Sequence, residues 1–231
     1  MAFGAHPDDI EFGCGGVIAI ETMQGRKAHL VVTSLGESAT NGTPEQRREE
    51  TREAAAILGA SVEFEELDGD ARLEIRLEHA IKLAEIIRIE KPTTVLAPST
   101  KENQHPDHSR LGRLVRDAAR LARYGGFEEL AGTPPHSIAQ LFFYAVTPDG
   151  EPDEQLPLLI DVSAAEVMEA WTGAMQAHRS QASTRDYLEL QLTRARLAGA
   201  RAGVEYAIAL YPNEPLIFDS VAKTGRGARH F

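Results

Sequence analysis

Short apolar, β-branched runs alternate with amphipathic stretches through the first half of the chain. The runs at 28–34, 61–67 and 93–98 are bounded by turn residues and read as strands. The helices between them carry local start and stop signals. Thr43 stands at an N-cap position, with Pro44 at the first helical position and Gln46 three residues after the cap. That helix runs over 47–58 and stops at Gly59, a residue suited to the left-handed conformation that ends a helix. A second helix over 78–90 ends before Pro92. Alternation of this kind predicts βαβ units, hence an α/β, Rossmann-like fold with a mostly parallel sheet and helices on both faces.

The two ends of this pattern are less regular. Residues 1–5 leave room for only a short first strand, against a usual length of about 5–6 residues. Either the strand is clipped or the natural protein begins upstream of Met1. The segment 124–136 holds Gly and Pro and is expected to form a loop, placed as a flap over the site. Strands are expected at 138–146 and 158–162, separated by an acidic turn at 147–155. Ser163 is expected to cap a helix running to His178, and a helix over 184–202 precedes a strand over 204–210. Residues 223–231 are basic and expected to be mobile. No repeat or linker divides the chain, so its 231 residues are read as one domain over 1–231.

Composition narrows the partners. Charged residues make up 26% of the chain and hydrophobic ones 42%, as in an ordinary globular protein. A net charge of −11 argues against nucleic acid or an anionic membrane and for a small-molecule substrate. No apolar run reaches the ~20 residues that span a bilayer, and no signal-peptide pattern opens the chain. With a single cysteine, Cys14, the expected location is the cytoplasm. Cys14 itself, inside Gly13-Cys14-Gly15-Gly16, reads as a packing residue rather than a nucleophile.

The chemistry lies in two similar corners, Ala5-His6-Pro7-Asp8-Asp9 and His105-Pro106-Asp107-His108. Each follows an apolar run and opens a helix, with proline at the first turn. In open α/β sheets this carboxyl-end edge of the strands is where ligands bind. One such corner is accounted for equally well as a capped helix with a surface histidine. Two together gather imidazoles and carboxylates into one crevice, and two imidazoles with a carboxylate form the usual ligand set of an open catalytic zinc site.

The segment from Ala5 through Gly16, together with His105-Pro106-Asp107-His108, resembles the LmbE/PIG-L family of zinc-dependent N-acetylglucosaminyl deacetylases. The likeness extends to Arg47-Arg48-Glu49-Glu50, to Leu67-Asp68-Gly69-Asp70 and to His178-Arg179-Ser180-Gln181. It is nearest to the bacterial branch that deacetylates N-acetylglucosaminyl malate in bacillithiol synthesis. The resemblance implies a metal site at the C-terminal ends of the strands, with His6, Asp9 and His108 as zinc ligands; iron(II) also suits this set. It further implies Asp8 as the general base, His105 as the group that stabilises the oxyanion and protonates the leaving amine, and Asp107 as its orienting partner. Arg47 aligns with a helix arginine that holds sugar hydroxyls, with Arg48 and Arg52 as near alternatives. A homo-oligomer, up to a hexamer, is implied as well.

Elementary chemistry agrees with these roles. Zinc polarises an amide carbonyl and acidifies water, a neighbouring carboxylate serves as base at neutral pH, and an amide leaving group needs a proton. His105 held cationic by Asp107 suits both oxyanion stabilisation and protonation of the leaving amine. His178 lies at a helix end and borders the site only through the resemblance. His29, His79, His136 and His230 lack partner motifs and read as structural or solvated. Asp68 and Asp70 form a turn first and a pocket lining second. Alternative substrates are another N-acetyl sugar such as glucosaminyl inositol or a chitobiose-like sugar, or a thiol conjugate. Three rival readings are weaker: a non-haem Fe(II) oxygenase built on His6 and Asp8, a dinucleotide site at the Gly13–Gly16 segment, and a sugar-binding module without turnover.

Overall fold

A computed structural model describes residues 1–102, 104–181 and 186–228. Seven strands form one sheet: β1 (Ala2–Gly4), β2 (His29–Val32), β3 (Ser61–Phe64), β4 (Thr94–Pro98), β5 (Gln140–Tyr144), β6 (Leu158–Asp161) and β7 (Ala207–Pro212). Their order is β3-β2-β1-β4-β5-β7-β6. Neighbours from β3 across to β5 pair in parallel, whereas β7 runs antiparallel to both β5 and β6. The helices are α1 (Asp9–Met23), α2 (Pro44–Ile57), α3 (Leu77–Glu90), α4 (Pro106–Ala122), α5 (Ala165–Ala177) and α6 (Tyr187–Ala202). None of these is long and apolar enough to cross a membrane.

Alternation along the buried strands divides the core between the two faces. Ala2, Leu30, Leu96, Phe142 and Tyr144 pack with Trp171 and the apolar sides of α1, α2 and α5. Phe3, Val31, Val95, Ala97 and Phe143 turn the other way, onto α3 and α4. Strands covered on both faces explain why the sequence shows unbroken apolar runs. Only three residues long, β1 is nevertheless fully buried at the centre of the sheet. The chain leaves β1 toward β2 on one side, and β4 lies on the other. That reversal of strand order opens a crevice at the carboxyl ends of β1 and β4.

Most expected elements are present with trimmed ends. Thr43 accepts a hydrogen bond from Gln46 N at 3.2 Å, and Gly59 takes φ +67°. The last strand begins at Ala207 rather than at 204, because Gly203 at φ +68° first turns the chain out of α6. Ser163 is not a cap: its hydroxyl donates to Asp161 Oδ1 (2.6 Å) and accepts Tyr206 N (2.9 Å), and α5 starts two residues later. The expected start of α6 at Thr184 and the end of the basic tail, including His230, lie outside the described residues.

The flap is also corrected. Residues 124–136 fold against the opposite edge of the sheet, where His136 contacts Pro92 O at 2.8 Å ahead of β4. Arg88, fully buried on α3, holds this segment in place. Its guanidinium donates to the carbonyls of Ala122 (2.9 Å), Tyr124 (2.7 Å) and Thr133 (2.8 Å), and to that of Leu130. Ala122 ends α4, where the helix dipole favours a cation. Arg88→Met leaves these carbonyls unpartnered, so it is expected to lower unfolding free energy by on the order of 3 kcal/mol. Urea denaturation measures this, and a loss under about 1 kcal/mol would show that water replaces the guanidinium.

Candidate active site

The corner after β1 is folded by its own carboxylate. Asp9 Oδ2 accepts the amides of Ala5 and His6, each at 2.9 Å, which bends the chain into α1 and points His6 and Asp8 into the crevice. Asp8 sits at φ 110°, ψ −26°, a strained backbone for a residue with a Cβ. From α2, Arg47 donates to Pro7 O (2.7 Å), Gly36 O (3.3 Å) and Asp8 Oδ2 (3.3 Å). Gly36 makes room for it at φ +69°, where a Cβ would lie 1.7 Å from Arg47 Nη1. The second corner follows the loop after β4. His105 caps α4 by accepting Asp107 N at its Nδ1 (3.3 Å), and Pro106 occupies the first turn.

The two corners meet through His6. Its Nδ1 lies 3.2 Å from His108 Nε2 and 3.4 Å from Asp9 Oδ2, and His108 Nε2 lies 3.0 Å from Asp9 Oδ1. Ligands held about 2.0–2.1 Å from a tetrahedral zinc stand roughly 3.3 Å from one another, which the 3.2 Å between His6 Nδ1 and His108 Nε2 matches, with a different oxygen of Asp9 beside each imidazole. The exposed His105 ring packs edge-on to His6 with centroids 4.6 Å apart. On the far side of His6, Nε2 faces Asp70 Oδ1 (3.1 Å) and Asp107 Oδ2 (3.4 Å). Ligand-type atoms therefore gather in two groups around His6, one with His105 and His108 and one with Asp70 and Asp107.

The electrostatics follow from burial and close carboxylates. Burial raises the Asp8 carboxyl to about 6, with Arg47 opposing the shift and Asp9 adding to it. Although 15% of its side chain meets solvent, the carboxylate is hemmed in by the corner and by Arg47. Burial alone would raise Asp9, yet His108 and His6 hold it well below the usual carboxylate range. Burial likewise works against charge on His6, but Asp9, Asp107 and Asp70 raise it well above an ordinary histidine. His105 is lowered by burial and by the neighbouring His6 and His108.

His6, Asp8, Asp9, His105, Asp107 and His108 thus come together, and two expected roles change. Arg47 is only 4% exposed and donates to Asp8 and two carbonyls, so here it braces the corner that carries Asp8 and does not project into the crevice. Arg48 pairs with Glu66 and Arg52 with Glu49, so neither takes that place. The Asp107 carboxylate faces His6 and accepts Ala71 N at 2.7 Å, while its backbone amide is what contacts His105. His105 is therefore not held cationic; with Nδ1 accepting, its proton lies on Nε2, available as a donor.

Asp70 joins the cluster through a turn at Gly69, whereas Asp68 pairs with Arg76 and His79 away from it. The glycine segment faces the core: a Cβ on Gly13 would strike Tyr144, and one on Gly15 would strike Trp171. No pyrophosphate fits there, and the fully buried Cys14 is a packing residue.

Sequence reasoning missed a buried layer beneath Asp8. Glu50 accepts both the amide (2.9 Å) and the hydroxyl (2.6 Å) of Ser180. His178, 0% exposed, lies 3.5 Å from Glu11 Oε2. The spacing of Glu50 and Glu11 on helix faces gave no signal of either pairing. Burial works against charge on His178, but Glu11, then Asp8 and Glu50, raise it above the ordinary value of 6.5. A histidine raised on folding stabilises fully below its unfolded pKa, and that contribution is lost as pH climbs through the folded value. The stability gap between the wild type and His178→Gln is therefore expected to be widest below about pH 6.5 and to narrow at alkaline pH. Denaturant titrations across pH 5–9 measure it, and a constant gap would refute the charged pair.

Comparison with known proteins places this geometry. The chain is 32% identical over 190 residues to the diacetylchitobiose deacetylase of Thermococcus kodakarensis, covering 76% of this chain and 67% of the relative. It is also 32% identical over 150 residues to the 4-oxalmesaconate hydratase of Pseudomonas putida, but spans only 58% of that protein's length and 58% of its own. Among solved structures, the conserved protein TT1542 from Thermus thermophilus superposes with a TM-score of 0.83 at 30% identity, covering 97% of this chain and 98% of that one. The family PIG-L, GlcNAc-PI de-N-acetylase, matches residues 1–119, the stretch that builds both His-Pro-Asp corners, and the chain belongs to it.

Proposed function

We propose that this chain is a zinc-dependent N-deacetylase that hydrolyses the acetamide of an N-acetylglucosamine conjugate, releasing acetate and a free amino sugar. The observation that carries the reading is the convergence of His6 Nδ1, His108 Nε2 and Asp9 within 3.0–3.4 Å of one another beside the Asp8 carboxylate. His6, Asp9 and His108 would hold the ion. When bound, zinc supplies a Lewis acid that polarises the acetamide carbonyl and acidifies water. Asp8, raised to about 6 by burial, takes the proton of the attacking water at neutral pH. His105 Nε2–H donates to the developing oxyanion, and the proton held at Asp8 or His105 passes to the leaving nitrogen.

The malate conjugate of bacillithiol synthesis is one substrate of this class and a chitobiose-like sugar is another. The likeness to a hydratase supports a second reading, because a base-activated water also adds to a carbon–carbon double bond conjugated to a polarised carbonyl. Zinc-reconstituted protein separates them: acetate release from N-acetylglucosaminyl malate or diacetylchitobiose supports deacetylation. Hydration of 4-oxalmesaconate with no acetate release from either sugar would overturn it.

Asp8→Asn is expected to retain zinc and lose about 10²–10⁴-fold in kcat, while His108→Ala loses the metal. Full turnover by Asp8→Asn would remove it as the base. Arg47→Met is expected to lower kcat with KM little changed, since it braces Asp8; a rise in KM alone would return it to the sugar.

A further inference from the structure

His6 is the one imidazole of the cluster with ring nitrogens facing two different sets of partners. Nδ1 looks to Asp9 and His108, and Nε2 looks to Asp70 Oδ1 at 3.1 Å and Asp107 Oδ2 at 3.4 Å. Both of these aspartates are buried and pinned from behind. Asp70 Oδ2 accepts Ser38 N (3.1 Å), Ser38 Oγ donates to Asp70 O (2.9 Å), and Asp70 N donates to Glu37 Oε2 (2.9 Å). Asp107 Oδ2 accepts the amide of Ala71 (2.7 Å), which a positive φ of 63° at Ala71 accompanies, and Asp107 Oδ1 lies 3.6 Å from Arg110. His6 Nε2 and His108 Nδ1 are both buried without a well-aligned hydrogen bond, but of the two it is His6 Nε2 that has carboxylate oxygens within 3.4 Å.

We propose that Asp70 and Asp107 are a pair of positioning residues acting on His6, fixing its proton on Nε2 so that the Nδ1 lone pair is presented to a metal. An ionised carboxylate only accepts, so two of them facing Nε2 keep a proton there when Nδ1 gives up its own to a metal. Outer carboxylates of this kind orient a ligating imidazole and raise its basicity. The Asp107 carboxylate then governs metal affinity rather than the acid step at His105, which its backbone amide alone contacts.

The inference rests on His6 being a metal ligand, and its test reads the metal directly. Zinc affinity is measured by competition with a chromophoric chelator for the wild type, Asp70→Asn and Asp107→Asn. Each substitution is expected to weaken binding about 10- to 100-fold, while the pH limb of activity that depends on His105 stays in place. In protein loaded with cadmium-113, scalar coupling is expected at His6 Nδ1, an observation that needs no variant to fold. Wild-type affinity in both variants, coupling through His6 Nε2, or a moved pH limb in Asp107→Asn with zinc affinity intact would each overturn the assignment. Failure of the wild type to take up zinc would overturn the metal centre itself, a result distinct from zinc uptake indifferent to both substitutions.

Discussion

One carboxylate holds both halves of the site. Asp9 accepts two amides of its own corner through Oδ2 and reaches His108, from the far corner, through Oδ1. A buried carboxylate is costly unless its lone pairs are used, and here nearly all of them are. Its position at the first turn of α1 adds the favourable end of the helix dipole. The turn and the candidate ligand site are therefore one structure. A change that loosens Asp9 releases the His6 backbone and the facing imidazole together. The strand-order reversal between β1 and β4 lets this happen, because it brings two corners distant in sequence to one edge of the sheet.

Asp8 stands beside this anchor at a local cost. A non-glycine residue at φ 110° stores strain of order 1–3 kcal/mol, and such strain persists only where the surroundings over-determine it. The surroundings are identifiable. Arg47 clasps the carbonyl of Pro7 just ahead of the strained residue, Gly36 gives it space, and Glu50 with Ser180 closes the layer behind α2. The same enclosure that holds the backbone removes Asp8 from water, which lifts its carboxyl to about 6. Strain and basicity thus have one source. Arg47 works in both directions, fixing the corner while keeping the carboxyl from rising further.

Features written over a few consecutive residues were legible in the sequence. The Thr43-Pro44-Gln46 cap, the Gly59 stop and both His-Pro-Asp corners are local chemistry, and each stands where expected. Contacts across the fold were not legible. Arg47 reads as a helix arginine free to meet a ligand until α2 docks behind Pro7. Asp107 reads as the partner of its neighbour His105 until the Asp70–Ala71 turn arrives and captures its carboxylate. The segment 124–136 has the composition of a flap, and only the buried Arg88, on a different helix, decides that it lies at the other edge of the sheet. Nothing within that segment encodes the arginine.

The charge balance of the crevice connects these placements. Asp9, Asp70 and Asp107 are buried around His6, with Asp8 half-buried beside them, and among the described residues Arg47 is the only buried guanidinium that touches the group. Arg110 reaches Asp107 from the surface at 3.6 Å, too far to neutralise it fully. The remaining imbalance is met on His6, whose raised affinity for a proton reflects the three carboxylates that face it. A proton at that position and a divalent cation between His6, His108 and Asp9 answer the same field, and only one of them leaves Nδ1 free to ligate. Metal uptake should then release a proton, as it does wherever an imidazole must be neutral to bind. The carboxylates that make His6 basic are also those that favour the cation, so the cluster exchanges one positive charge for a larger one without rebuilding its framework.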